Sequence, residues 1–503
     1  MKIRDLTLEE IELLDPSGRA RAMLAGMCDG KPTPVPSFLT IQDRDRWLVD
    51  YIALRNKYRS QHHPEVMAYD EEMVSKFGPQ GASFSLEDVQ KVYESSYTLA
   101  QRKIFPRIAL RGRDLLIRYV QHCIEQFGYP QLAARSMYAT SASLPTMLKK
   151  GTYYAETVGM APYRHVVPML PGQRNQRKKK RVINQDPVAN VRLFEREINA
   201  ARYWLREHLP QFFGAWLNPM VDTLPRITRS MLSGRFFSVE ADYSACDEHF
   251  SLDLVQQCVL PIYEVLFPDK TVFHEFSAYV EELFYQPLFF GTYLWTGLHN
   301  LFSGQNITQD FETIFDVCLQ LGAVRSVGLV ESDVTMLAIG DDQSVITHDG
   351  KRAERLLACI IEEANLCGMD MALPKCRLSS ESVRFCRKVY APSLPKAFDQ
   401  YGRQLIMGAY PAVLALNNIV NPERGTPSLA EAVKACVQRM DVVFGNQLFA
   451  PFTQFVWKRV RKQVTDQQIE EAPSHDWWER VYGEVWHLCQ SPSYKFLRQC
   501  NMW

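Results

Sequence analysis

Met336-Leu337-Ala338-Ile339-Gly340-Asp341-Asp342-Gln343-Ser344-Val345-Ile346-Thr347 consists of two β-prone arms around an acidic tip. It reads as a hairpin whose turn carries adjacent carboxylates. Gly-Asp by itself is a common turn dipeptide, so the segment gains meaning from two others upstream. One is Ala241-Asp242-Tyr243-Ser244-Ala245-Cys246-Asp247, which follows the apolar stretch Phe236 to Val239. The other is Ser303-Gly304-Gln305-Asn306-Ile307-Thr308, a small-residue loop feeding a helical pattern. Asp242 and Asp341 each stand where a buried strand emerges, which places both at one edge of one sheet. Such a pair is the simplest cradle for Mg²⁺, which takes oxygen ligands and keeps several waters. The chemistry it suits is in-line displacement at a phosphoryl group, one cation lowering the pKa of the attacking hydroxyl and the other steadying the leaving pyrophosphate. Asp242 and Asp247 could each instead cap the short helix that starts near Glu248.

At 503 residues and 46% apolar content, the chain has the size of about two or three compact units of ordinary soluble protein. Its 57 basic residues equal its 57 acidic ones, so no global field advertises a nucleic-acid partner and any such binding must come from local clustering. One cluster exists: Arg174, Arg177, Lys178, Lys179, Lys180 and Arg181 run without an acid among them into apolar Val182-Ile183. A run of this kind is often a solvated face. Its apolar continuation and its place ahead of Asp242 favour a strand that turns alternate basic residues inward. The 12 cysteines contain no C-x-x-C pair and the 11 histidines no H-x-x-x-H spacing, which removes support for a zinc site and suits a reducing cytosol. The start lacks the apolar core of a signal peptide, and no apolar stretch approaches the roughly 20 residues that span a bilayer.

Further segments extend the pattern on both sides: Thr140-Ser141-Ala142-Ser143-Leu144-Pro145, Lys179-Lys180-Arg181-Val182-Ile183, Pro374-Lys375 and Phe385-Cys386-Arg387. In this order they resemble the motifs of viral RNA-dependent RNA polymerases of the right-hand type, over residues 135 to 395. Chain size and motif spacing resemble most closely the compact enzymes of picobirnaviruses and partitiviruses, and next those of caliciviruses and picornaviruses. The resemblance implies an α+β fold: fingers, a palm of antiparallel sheet plus helices, and a mainly helical thumb, closed by an N-terminal strap. On this pattern residues 1–70 are the strap, 71–205 and 254–295 the fingers, 206–253 and 296–395 the palm, and 396–503 the thumb and tail.

The resemblance also assigns roles. Asp242, Asp341 and Asp342 would hold Mg²⁺, with Mn²⁺ accepted, and Lys375 would be the general acid for pyrophosphate. Lys179, Arg181, Asp247, Ser303 and Thr308 would meet the nucleotide, Asp247 by reading its 2′-hydroxyl. Thr140, Ser141, Gly304, Phe385, Cys386 and Arg387 would contact template and primer. Template and product RNA and ribonucleoside triphosphates are the implied partners, with room for a viral capsid protein. The implied location is the host cytoplasm, inside a virion or replication complex.

A reverse transcriptase would share the paired carboxylates, but the tip here is Ile339-Gly340-Asp341-Asp342 and not Tyr-x-Asp-Asp, and Asp247 leaves polar a space that deoxynucleotide-accepting enzymes close with bulk. A non-catalytic RNA-binding protein on a degenerate polymerase fold would not need all three acidic positions. The mode of initiation stays open. The last residues, Cys500 to Trp503, read as a frayed end or a platform folded into the cavity.

Two departures stand out. Ser143 replaces a glycine of the family pattern, and Glu312 stands where the pattern S-G-x-x-x-T-x-x-x-N has asparagine. A carboxylate facing Asp247 is costly. Either Glu312 turns away along its helix, leaving Thr308 or Asn306 to assist Asp247, or it takes a counter-charge from the basic finger strand. Seating Phe311 and Phe315 in the core favours the first.

Overall fold

Four strands in the order Val334–Ile339, Asp342–Thr347, Phe237–Ala241 and Arg377–Ser379 form the central antiparallel sheet. The structure, a computed structural model, describes the chain except residues 30–32, 80–85, 133–166, 177–178, 188–189, 191–192, 216–218, 306, 399–401, 424, 462 and 474–485. Side chains alternate across the sheet as the period of two requires. Val239, Ala241, Met336, Ala338 and Val345 face one core, which they share with the helices Thr308–Ser326 and Gly350–Leu366. Leu337 and Ile346 face a second core, shared with Ile227 and Met231 of the Pro219–Leu232 helix and with the Val383–Phe385/Lys388–Tyr390 hairpin. This is the expected α+β palm.

The Thr308–Ser326 helix is buried on every side from Asp310 to Val324. Its closest neighbour is the Ile108–Phe127 helix, and glycine makes the approach possible. A Cβ on Gly112 would stand 1.8 Å from the carbonyl oxygen of Cys318, and one on Gly322 would stand 2.0 Å from that of Ile108. The Ile108–Phe127 helix has no side-chain cap of its own. Instead Glu363, buried on the Gly350–Leu366 helix, accepts the N–H groups of Arg107, Ile108 and Ala109 at 2.5, 2.7 and 3.0 Å. A carboxylate at a helix N-terminus satisfies orphan donors and opposes the positive end of the dipole.

The first seventy residues, expected as the strap, are mostly helical. Strand Lys2–Asp5 pairs with Tyr293–Thr296, and helices Leu8–Leu14, Arg19–Asp29, Asp43–Tyr58 and Pro64–Val74 follow. Pro34 and Pro36 lie in the connection between the second and third of these helices and interrupt helix only locally. Lys2–Asp5 extends one sheet, while Trp47 and Tyr51 pack into the helical C-terminal part, Tyr51 edge-on to Phe452 at 6.0 Å. Buried Asp70 accepts from Tyr51 Oη at 2.8 Å and from the Val413 N–H at 2.9 Å, fixing the same junction.

A helix after the basic strand spans Glu195–His208, and the helical stretch after Asp247 contains a π-helical turn at Val255–Val259. Trp457 is buried, and Arg459 pairs with Asp50 at 2.7 Å, so both serve helix packing. The end of the chain is anchored: the Trp503 ring stacks on Trp457 at 4.3 Å, and Trp503 Nε1 donates to Asp466 at 2.7 Å.

Gly112→Ala and Gly322→Ala should each destabilise the protein by more than about 2 kcal/mol, because the added carbon meets backbone and not a yielding side chain. Chemical denaturation measures this, and midpoints equal to wild type would contradict the close crossing.

Candidate active site

Ile339 pairs with Asp342, closing a two-residue turn of Gly340 and Asp341 in which Gly340 takes φ +58°. Thr313, from the buried helix beneath, accepts the Gly340 N–H at 2.8 Å, and Gln320 Nε2 donates to the Leu337 carbonyl at 3.0 Å. The acidic tip is thus pinned from below at two points. Ala241 pairs with Gln343, so Asp242 continues its strand toward Asp342 at the same end of the sheet. Asp341 is exposed, and Asp242 accepts Lys375 Nζ at 2.7 Å.

Asp342 is half-buried, and its carboxyl accepts the Cys386 N–H at 2.8 Å. Burial first, then the charges of Asp341 and Asp242, push its pKa up to about 7 against the pull of that N–H. The donor comes from the tip of the Val383–Phe385/Lys388–Tyr390 hairpin, where Cys386 and Arg387 take φ of 50° and 59°. Non-glycine residues rarely hold that conformation, and it aims the Cys386 N–H at the carboxylate. Phe385 is buried in the second core and Arg387 is exposed.

The Ser303-Gly304 loop rests on the basic strand Lys179–Gln185, with the Asn184 N–H donating to the Ser303 carbonyl at 3.0 Å. Gly304 takes φ +104°, and a Cβ there would lie 2.2 Å from the Asn184 carbonyl oxygen. The strand pairs with Leu170–Gln176 as an antiparallel ribbon. Lys179 and Arg181 lie on it by backbone position; their side chains, with Thr140, Ser141 and Asn306, lie outside the described residues. A small cleft beside the loop is lined by Tyr93, Val182, Asn184, Asp247, Glu248 and Ser303, which brings Asp247 to the junction of strand and loop. The Thr308 hydroxyl donates to the Phe302 carbonyl at 2.9 Å, so it braces the turn into the helix.

Glu312 does not turn away. Its carboxylate lies 3.5 Å from where a Gly340 Cβ would stand and hydrogen-bonds with Cys246. Phe311 and Phe315 are seated in the core as expected, but the helix has no solvated side onto which Glu312 could rotate. Burial, then Asp247, Asp341 and Asp316, drive its pKa well up. One turn on, buried Asp316 accepts Tyr243 Oη at 2.6 Å, and its pKa is also driven up by burial. Both acids favour their neutral forms beneath the exposed carboxylates.

Among the described residues no three His, Cys, Asp or Glu side chains converge as a closed metal cage. A nucleotidyl-transfer site does not require one, since the ions complete their shells with water and phosphate oxygens. An ammonium already sits on Asp242, and crowding keeps Asp342 from ionising freely, so the donor set and its field fit a divalent cation. Thr313, Gln320 and Asp316 escaped the sequence reading, their only signal being polarity inside a helix that packs on all sides. Cys386 was expected to contact template or primer, and its N–H meets Asp342.

No protein-family model and no curated protein sequence matches the chain. Solved structures do. The RNA-dependent RNA polymerase of a human picobirnavirus superposes with a TM-score of 0.71 at 17% identity, covering 90% of each chain. An insertion-loop deletion mutant of a human picobirnavirus polymerase gives 0.68 at 19% identity, covering 91% of this chain and 94% of that one. The chain has the right-hand polymerase fold.

Because the fold favours the neutral form of Glu312, the stability this residue supports is complete below about pH 4, the ordinary value for an unfolded glutamate, and is lost as pH rises. Glu312→Gln should therefore be more stable than wild type at pH 8, with the gap closing by pH 4.5. Thermal denaturation across that range checks it; a gap independent of pH would refute it.

Proposed function

We propose that the chain is an RNA-directed RNA polymerase that copies viral RNA, in replication and transcription, by two-metal nucleotidyl transfer. The observation that carries the reading is the meeting of Asp242, Asp341 and Asp342 at one end of one sheet, beside a Ser-Gly loop seated on a basic strand. Asp242 and Asp341 would hold the two ions, with Asp342 as an outer or occasional ligand; Mg²⁺ is the expected metal and Mn²⁺ should substitute. When bound, the metal supplies acidification of the attacking hydroxyl and charge stabilisation at the phosphates.

The protein's own groups do the positioning. Arg181 and Lys179 stand on the strand that would receive the triphosphate, arginine offering a bidentate fork and lysine a point charge. Asp247, in the cleft beside Ser303, is placed to accept the 2′-hydroxyl that separates ribose from deoxyribose. Lys375, on a loop over Asp242, is the group that gives a proton to departing pyrophosphate. The Gly304 backbone approaches where a side chain would collide, leaving room for a template base. Among the described residues no helix is long and apolar enough to cross a membrane.

Asp242→Ala and Asp341→Ala should each lower ribonucleotide incorporation on an RNA template by about a thousandfold or more while leaving the denaturation midpoint unchanged. Asp342→Asn should keep more activity than either. Near-complete retention in all three would sink the metal assignment. Asp247→Ala should reduce the preference for ribo- over deoxynucleotides, read as a ratio of kcat/KM values. Thr308→Ala should leave that ratio near wild type, because its hydroxyl braces the loop.

A further inference from the structure

Lys375 ends a 3₁₀ turn, Leu373–Lys375, in a loop that is open on one side: Leu373 is exposed and the Lys375 and Asp242 side chains are 53% and 43% accessible, while Met371 and Cys376 pack against the main core. The loop is nevertheless fastened at its start. Backbone bonds join it to the segment after the Phe237–Ala241 strand: the Ser244 N–H donates to the Asp370 carbonyl, and the Ala372 N–H to the Asp242 carbonyl, both at 2.8 Å. Tyr243 and Met371 form the antiparallel bridge between these two bonds.

On that base sits a side-chain clip. Arg102 Nη1 donates to Asp370 Oδ1 at 2.9 Å and to the Gly368 carbonyl at 3.1 Å. His249 Nε2 meets Asp370 Oδ2 at 3.0 Å, and His249 Nδ1 meets the Ala245 carbonyl at 3.0 Å. The segment carrying Arg102 leans on the same place, since the Phe105 N–H donates to the Leu366 carbonyl at 2.7 Å. A Cβ on Gly368 would come 2.9 Å from Ile104.

We propose that Arg102, Asp370 and His249 are positioning residues that hold the loop from Asp370 to Cys376, and through it Lys375, over Asp242. The inference rests on the polymerase reading for its catalytic consequence. Both oxygens of one carboxylate are engaged, one by a group ahead of the Ile108–Phe127 helix and the other by one on the Cys246–His249 turn. Three chain segments distant in sequence therefore meet at the root of the loop. An isolated exposed ion pair contributes little to stability. Here its contribution is orientation, because Lys375 is only a few residues from the clamp and proton transfer is sensitive to displacements near 1 Å.

The test uses the full chain. In Arg102→Ala, kcat for single-nucleotide addition should fall about fivefold to tenfold with KM for nucleotide within about twofold, and Arg102→Lys should recover most of the loss. Lys375→Ala with Arg102→Ala should be no slower than Lys375→Ala alone. Hydrogen–deuterium exchange of the peptide spanning 370–376 should accelerate in Arg102→Ala and in Asp370→Ala. Wild-type kcat in Arg102→Ala, an equal loss in the Lys375→Ala background, or unchanged exchange would each overturn the proposal. A wild-type chain that adds no nucleotide would remove the polymerase reading, and the exchange measurement would still decide whether the clip holds the loop.

Discussion

Like charges gathered at one end of one sheet are the constraint around which the rest of this structure is arranged. Asp242, Asp341 and Asp342 repel one another, and burial adds to the penalty at Asp342. Each neighbouring device relieves part of it. Lys375 neutralises Asp242, a backbone N–H from a separate hairpin meets Asp342, and the two acids beneath, Glu312 and Asp316, favour forms that carry no charge. A site built this way is under-neutralised, which is the condition in which it would draw in cations.

Rigidity underneath keeps the charges from moving apart. The Thr308–Ser326 helix carries Thr313 and Gln320 to the acidic hairpin on one side and presses glycine to glycine on the Ile108–Phe127 helix on the other. Glu363 ties the start of that second helix to the Gly350–Leu366 helix. Strain appears where rigidity ends. Ala245, Cys386 and Arg387 are three of the four non-glycine residues with positive φ among those described, and they flank the carboxylates.

What could be read from the chain itself was whatever repeats at short range. Apolar stretches ending in aspartate located Asp242 and Asp341, and the two arms around Gly340 located the hairpin, because period-two burial is written into consecutive residues. The helix after Ser303 was legible as the helical pattern that follows the small-residue loop. Interactions between distant segments left no such mark. Glu363 looks like one more acid on an amphipathic helix, and Gly112 and Gly322 look like isolated helix breakers, until their partners are known. Glu312 misled for a related reason: two neighbouring phenylalanines implied a polar far side, and the helix has none.

The glycine crossing also has a genetic reading. No other amino acid lacks a Cβ, so every missense change in the codons for Gly112 and Gly322 adds an atom where none fits. Neither position has a conservative neighbour in the genetic code. For an enzyme that copies its own gene, as proposed above, a missense error at either codon yields a daughter message whose product is crippled as a copyist. Such errors remove themselves from the lineage without any proofreading, and these two glycines should stay fixed while the surface around them drifts.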